Sequence, residues 1–480
     1  MKHTERARVR PSGRSFPWQW LLALTVVPLL VGCHHSSDSS TTELRAIHAS
    51  ADAPNVDIVV NGSTVLTNVP YETASAFLSI PSGTTSIAVN PTGSSTSVLN
   101  TSASLQANHQ YSAIVVGSAA ASAPSDQQLQ AILVDDPGNT PATGNVKVRV
   151  VHGAPGVPAV DVYVTAPGVA LPDAPTIAGL AYTAMAPASG TSALEVPGGS
   201  YEIRITVAGD QTKAVVFDSG TVPLPANGDL LVTAVPASGI APVNLLVAPA
   251  GGSAAVIADA RAAVRIGHLS PNVPAVDVSV NVAQSASSVL TLPNVAFPTV
   301  SGYSVLPGGS YDASVALASN PGTPVLTLNG ATLPSGSSTS VFAIGLLGGT
   351  GAQALQLAAY TDDRVPMQGM AKVRVIHLAP DAPAVDVVVL GTGGAIAETL
   401  VSNLSYPNAT SSDLQVPPGS YTLAVVPTGM MSPVLPTAAG VTVTLQGGQV
   451  LTIAAVGCLN ISSGPCANGA PFSFKVLSDN

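Results

Sequence analysis

Lys372-Val373-Arg374-Val375-Ile376-His377-Leu378-Ala379-Pro380-Asp381-Ala382-Pro383-Ala384-Val385-Asp386-Val387-Val388-Val389 is the stretch that decides the fold. Lys372 to Val375 alternate charged and apolar residues with period two, as a half-buried strand does. Ala, Pro and Asp then supply a turn. Val385-Asp386-Val387 opens a second strand. The same segment occurs four times, as Arg45/His48/Asp57, Arg149/His152/Asp161, Arg265/His268/Asp277 and Arg374/His377/Asp386. In each copy the Arg stands three residues before the His and the Asp nine after it. A chemical pattern repeated at a domain-sized interval is the mark of a tandem array of one module.

A second signature lies further along each copy. Val196-Pro197-Gly198-Gly199-Ser200-Tyr201, Leu306-Pro307-Gly308-Gly309-Ser310-Tyr311 and Val416-Pro417-Pro418-Gly419-Ser420-Tyr421 read as turns between strands. The first copy keeps Ile80-Pro81-Ser82-Gly83 but has Thr85 in place of the Tyr. Strand-like runs close each copy at 111–116, 230–235, 341–346 and 450–456, and a last short strand follows. That makes about seven strands per module. The expected fold is all-β, a tandem array of four immunoglobulin-like β-sandwich modules. Their expected bounds are 43–136, 146–248, 261–361 and 371–480, with linkers near 137–145, 249–260 and 361–370.

These paired motifs resemble the bacterial domain of unknown function family 4397, in four copies over nearly all of the chain beyond its leader. The first copy departs most, lacking the Tyr and carrying Ser50-Ala51 where the others have Ala-Pro or Ser-Pro. The resemblance implies a β-rich exported module and no reaction.

Composition agrees with a packed fold. Hydrophobic residues make up 46% of the 480-residue chain, and charged residues only 9%, so the low hydrophobicity and high charge of disorder are missing. A net charge of −10, with no basic cluster beyond residue 14, excludes a nucleic-acid partner.

The N-terminus reads as targeting sequence. Lys2, Arg6, Arg8, Arg10 and Arg14 precede an apolar run from Trp18 to Val31, too short to span a bilayer comfortably. The run ends in Leu30-Val31-Gly32-Cys33, which resembles a bacterial lipobox. The expectation is a lipoprotein signal peptide over 1–32, lipidation at Cys33, and a polar tether over 33–42 that holds the chain to the membrane. His34, rather than an Asp, follows the Cys, which points to the outer membrane of the cell envelope. His34-His35 has no further ligand nearby and reads as tether. Beyond the leader, Cys458 and Cys466 form an even pair in an exported chain and are expected to be a disulfide.

A His and a carboxylate repeated four times invite a metal or acid–base reading. Strand alternation argues otherwise. Counting from Val373 and Val375 turns His377 inward and Arg374 outward, while Asp386 between Val385 and Val387 faces outward. His and Asp then need not meet, and four copies suit a fold keystone better than four active sites. No catalytic residue, metal ligand or cofactor is assigned. The acidic groups at module ends, Asp135-Asp136, Asp362-Asp363 and Asp259, lack calcium-loop spacing, so calcium at the junctions is not expected. Tyr201, Tyr311 and Tyr421 could stack on sugars, but a Tyr covering a sandwich edge is the commoner arrangement. Gly198-Gly199 lacks the strand-to-helix context of a phosphate loop.

The function these features imply is non-enzymatic. It is a membrane-anchored envelope lipoprotein presenting a string of sandwiches for binding, adhesion or spacing, with a glycan or an envelope protein as the partner class. The alternative is a polysaccharide-acting envelope enzyme or its accessory protein, which needs a cleft with paired carboxylates.

Overall fold

Valine-rich alternating runs broken by Pro and Gly give strands and little else, and the third module shows how they assemble. One sheet has the order Ser304–Pro307, Arg261–His268, Ser338–Ile344, Gln356–Thr361. The other has the order Ser288–Val295, Val276–Val282, Gly309–Leu317, Asn320–Leu333. All pairings are antiparallel except one: Arg261–His268 runs parallel to Ser338–Ile344. Between the sheets lie the inward residues of alternating strands, among them Val264, Ile266, Val276, Val278 and Val315. The other three modules repeat this plan, each opening strand again lying parallel to the strand that corresponds to Ser338–Ile344. Modules 3 and 4 are therefore eight-strand sandwiches, and modules 1 and 2 have nine and ten strands; in each, the segment that ends at the Pro of the second signature forms a strand of its own.

The computed structural model describes residues 40–121, 123–367, 369–432 and 440–480. The expected signal peptide, the expected lipidation site Cys33 and most of the expected tether lie outside the described residues. Ser40–Asn480 is one compact unit. Among the described residues there is no α-helix, and no helix is long and apolar enough to cross a membrane.

Two boundaries shift. Thr41–His48 is a single strand, so the tether ends earlier than 42. Ala255–Ile257 pairs with Val243–Pro249 and extends the second module's sheet into the expected linker.

The larger departure concerns the opening strands, which are buried on both faces. Inward, Val373 and Val375 join the fourth module's core. Outward, Ile376 and Leu378 pack with Leu269, Phe342 and Ile344 of module 3. Likewise Ile47, Ile114 and Val116 of module 1 meet Val151, Leu231 and Leu246 of module 2. The expectation of half-buried opening strands is corrected here, and the packing supplies the arrangement of the modules that the sequence left open. Modules 1 and 2 form one face-to-face pair, and modules 3 and 4 another. The cause is the apolar outward face, which stabilises the chain only if something covers it. Modules 2 and 3 then touch through backbone: the Ile240 amide donates to the Gly336 carbonyl at 3.0 Å. A Cβ on Gly239 would fall 1.5 Å from that same oxygen, so only glycine fits there.

Candidate functional site

The repeated His is fixed by its own strand end and the turn after it. In His48, Nε2 lies 3.1 Å from the Pro54 carbonyl, and Nδ1 accepts the Ser50 amide at 3.3 Å. The arrangement recurs at His152 with Pro158 and Ala154, at His268 with Pro274 and Ser270, and at His377 with Pro383 and Ala379. One ring nitrogen faces an acceptor and the other a donor, which selects the neutral Nε2–H tautomer. An aromatic ring stands edge-on to each imidazole: Tyr71, Tyr182, Phe297 and Tyr406, at centroid distances of 6.1–6.5 Å. Sequence reasoning missed these four rings. Their signal was the recurring apolar-x-aromatic in Val69-Pro70-Tyr71, Leu180-Ala181-Tyr182, Val295-Ala296-Phe297 and Leu404-Ser405-Tyr406.

Burial holds all four imidazoles below their ordinary pKa, opposed by the carbonyl bond. A base with a depressed native pKa binds fewer protons folded than unfolded below pH 6.5. Stability is therefore fully present above about pH 6.5 and is lost as pH falls below it. Thermal melting between pH 7.5 and 5 should show this fall, and a flat profile would contradict the neutral tautomer. His377→Ala should cost about 1–3 kcal/mol by stranding the Ala379 amide and the Pro383 carbonyl. A variant that melts like the parent would remove the keystone role.

The repeated Asp does not meet the His. Asp57 accepts the Asn68 amide at 2.8 Å and the Gly93 amide at 3.2 Å. Asp161 takes the amides of Gly179 and Gly209, Asp277 that of Asn294, and Asp386 those of Asn403 and Gly429. Asn68, Gly179, Asn294 and Asn403 all have positive φ and sit where the neighbouring strand's register shifts. The carboxylate anchors a bulge. Backbone amides, Asn68 first for Asp57 and Gly429 first for Asp386, hold these two carboxyls below the usual range.

The repeated Arg points outward, as alternation implies, and in three of the four copies it bonds the neighbouring module. Arg45 donates from Nε to Ser112 Oγ at 2.8 Å and from Nη1 to the Pro249 carbonyl of module 2 at 2.6 Å. Arg265 repeats this with Ser340 Oγ at 2.7 Å and the Ser478 carbonyl of module 4 at 3.2 Å. Their guanidinium groups lie over Phe77 and Tyr303. Arg374 bonds Asp362, Thr452 and the Thr361 carbonyl. Arg149 donates to the carbonyls of Pro187, Ala188 and Thr191 and leaves its buried Nε unpaired. Burial pulls Arg45 down to about 10, with Asp229 and Asp136 opposing, so it stays charged at neutral pH.

The carboxylates at the module ends are taken up by cations of the chain. Asp136 pairs with Lys147, Asp259 with Arg261, Asp362 with Arg374, and Asp363 with Lys372. Asp135 lies 2.7 Å from His109. Asp259 and Asp362 are buried in their ion pairs and Asp136 is half-buried, while Asp135 shares a hydrogen bond with His109 and Asp363 is exposed. Tyr201, Tyr311 and Tyr421 each donate to the Pro carbonyl four residues back, clasping the turn. Cys458 and Cys466 are disulfide-bonded. Asp381 lies beside them, but the bonded sulfurs offer no thiolate to a metal.

One open cleft, of about 680 Å³, lies between modules 1 and 2 and the segment 363–367. Ala51, Asp52, Glu72 and Gln127 line it from module 1, and residues 155–158 and 236–242 from module 2.

The model of a domain of unknown function, DUF4397, matches residues 42–163, 170–279 and 262–388. The chain belongs to the DUF4397 family. The first and third matched segments run from a module's opening strand into the next module and the second from within module 2 into module 3, so the DUF4397 match reaches the fourth module only through its first two strands. No curated protein sequence matches the chain. Among solved structures it is similar to the TIE protein of Bacillus anthracis, at 11% identity over 86% of this chain and 67% of that one, with a TM-score of 0.16. It is also similar to the multi-modular glycogen-degrading pneumococcal virulence factor SpuA, at 9% identity, 60% and 38% coverage and a TM-score of 0.15. A streptococcal virulence factor that binds alpha-glucan matches at 10% identity, 40% and 93% coverage and 0.15. This DUF4397 chain spans well under half of the pneumococcal protein, and likenesses of this size carry no argument about activity.

Proposed function

We propose that this protein is a non-enzymatic lipoprotein of the cell envelope, anchored at Cys33 and probing its surroundings with a block of four DUF4397 sandwiches. One observation carries the reading. Every member of the fourfold Arg/His/Asp set is engaged in holding a turn, a bulge or a module interface, which leaves no general base or metal ligand free within it. The cleft lends no support to polysaccharide cleavage, which needs two opposed carboxylates. Asp52 is bonded by Ser118 and Ala119, Glu72 by Asn244, and Asp363 by Lys372. The lipobox and the polar tether support an anchored position, and His34 supports the outer membrane in a cell that has one.

Metabolic labelling with a fatty-acid analogue tests the anchor. The wild type should carry label and sediment with membranes, while Cys33→Ala should do neither. Equal sedimentation of the two would overturn the anchored reading. Protease treatment of intact cells then reports which face the block occupies.

A further inference from the structure

The two module pairs differ in one loop that bears on the cleft. In modules 1, 3 and 4 the residue four after the motif His holds the loop between the last two strands of its sheet. Asp52 accepts the Ala119 amide at 2.9 Å, Asn272 that of Leu347 at 2.9 Å, and Asp381 that of Leu459 at 2.9 Å. Module 4's loop is long, closed by the disulfide, and reaches back onto module 3. Asn272 Nδ2 donates to the Pro465 carbonyl at 3.0 Å, and the Ala470 amide donates to the Pro271 carbonyl at 2.9 Å. From module 3, Gln353 donates to the Pro380 carbonyl of module 4 at 2.8 Å.

In the first pair the corresponding loop is missing. Module 2 has Gly156 at the anchor position, and its loop closes at once, with the Ala237 amide donating to the Pro242 carbonyl at 3.0 Å. That short loop turns toward Gly336 and Arg364 instead. The cleft is the space that module 4's loop fills in the second pair. Its module 1 wall differs in chemistry too. Asp52, which can only accept, stands where Asn272 donates. Gln127 stands where Gln353 does, but its buried Oε1 has no hydrogen-bond partner among the described residues. Glu72 adds a second carboxylate.

We propose that this cleft docks a turn-forming polypeptide loop of a partner protein, in the manner of module 4's loop on module 3, and that the loop presents donors, a Lys or Arg side chain among them. The class of occupant follows from the second pair, where a closed polypeptide turn covers the same surface. Its polarity follows from the negative charge of Asp52 and Glu72, which attracts a cation although both already hold protein donors, and from Gln127 Oε1, because a buried acceptor left unpaired is costly and a donor removes that cost. The proposal rests on the reading of the chain as a binding array.

The test uses the whole mature chain and two synthetic disulfide-closed peptides. One has the sequence of residues 457–471, and the other carries Pro465→Lys in it. The Lys peptide should bind saturably and about tenfold more tightly than its parent, the effect of one charge-assisted hydrogen bond. Ser238→Trp, at an exposed cleft position, should abolish binding. Asp52→Asn should reverse the ranking of the peptides by restoring the side chain that module 3 uses. Absence of binding by both peptides, binding indifferent to Ser238→Trp, or a neutral oligosaccharide bound there in their place would each overturn the proposal. Failure of Cys33 labelling, by contrast, would remove the anchored reading and leave these outcomes unchanged.

Discussion

Asp362→Ala is expected to destabilise modules 3 and 4 by about 3–5 kcal/mol, the cost of stranding buried charge. Asp362 is fully buried between the two modules. It pairs with Arg374, lies 4.0 Å from the Arg265 guanidinium, and accepts from Ser340 Oγ at 2.7 Å and the Tyr303 hydroxyl at 2.7 Å. Removing the carboxylate leaves two guanidinium groups in a dry interface with only Asp479, itself 2.6 Å from Arg265, to balance them. Burial already pushes the Asp479 carboxyl up, with Arg265 opposing, so it compensates poorly. Hydrogen exchange read over Ser338–Ile344 and Ala371–His377 would measure the loss locally. Adding Arg374→Met should recover part of it, since an apolar side chain tolerates that site better than an unpaired cation. A loss below about 1 kcal/mol would mean that water reaches the cluster.

Phe342→Ala should cost a similar ~3–5 kcal/mol, and its effect should cross a module boundary. Phe342 belongs to module 3, yet its ring sits in the interface cluster with Ile376, Leu378 and Val456 of module 4. Gly267 makes room for it: a Cβ there would come within 2.7 Å of the ring. Truncation should therefore raise exchange in both modules and open the segment 363–370 to protease. Val278→Ala, inside module 3's own core, should raise exchange mainly within module 3. If Phe342→Ala loosens module 3 alone, the face-to-face pair is not a cooperative unit.

Much of the motif is legible in the amino-acid sequence. Alternation from Val373 separates His377 from Asp386, and the geometry gives them different partners: a turn for the His and a bulge for the Asp. The turn function of Tyr201, Tyr311 and Tyr421 is legible for the same reason, since a hydroxyl four residues from a Pro carbonyl is a local contact. Legibility fails where partners are distant. Asp362 gives no sign of its cluster, because Arg374 reaches it only when modules 3 and 4 pack, whereas Asp259 pairs with Arg261 only two residues away. Gln127 and Gly156 give no signal at all. They matter only against Gln353 and Asp381 in the other pair, a correspondence that exists in space and not along the chain.

The sequence by itself determined the module count, the all-β class, the strand faces and the turns, because period-two alternation and Pro-Gly chemistry act within a few residues. It also determined that Arg45, Arg149, Arg265 and Arg374 leave their own cores. Tertiary structure alone decided what lies against that outward face. The Arg45 contact to Pro249 joins residues 204 positions apart, and a residue's face in a strand is a local property, whereas its cover is supplied by chain from anywhere. For this reason only the packed structure arranges the expected array as two face-to-face pairs, and leaves an open cleft where one loop is short.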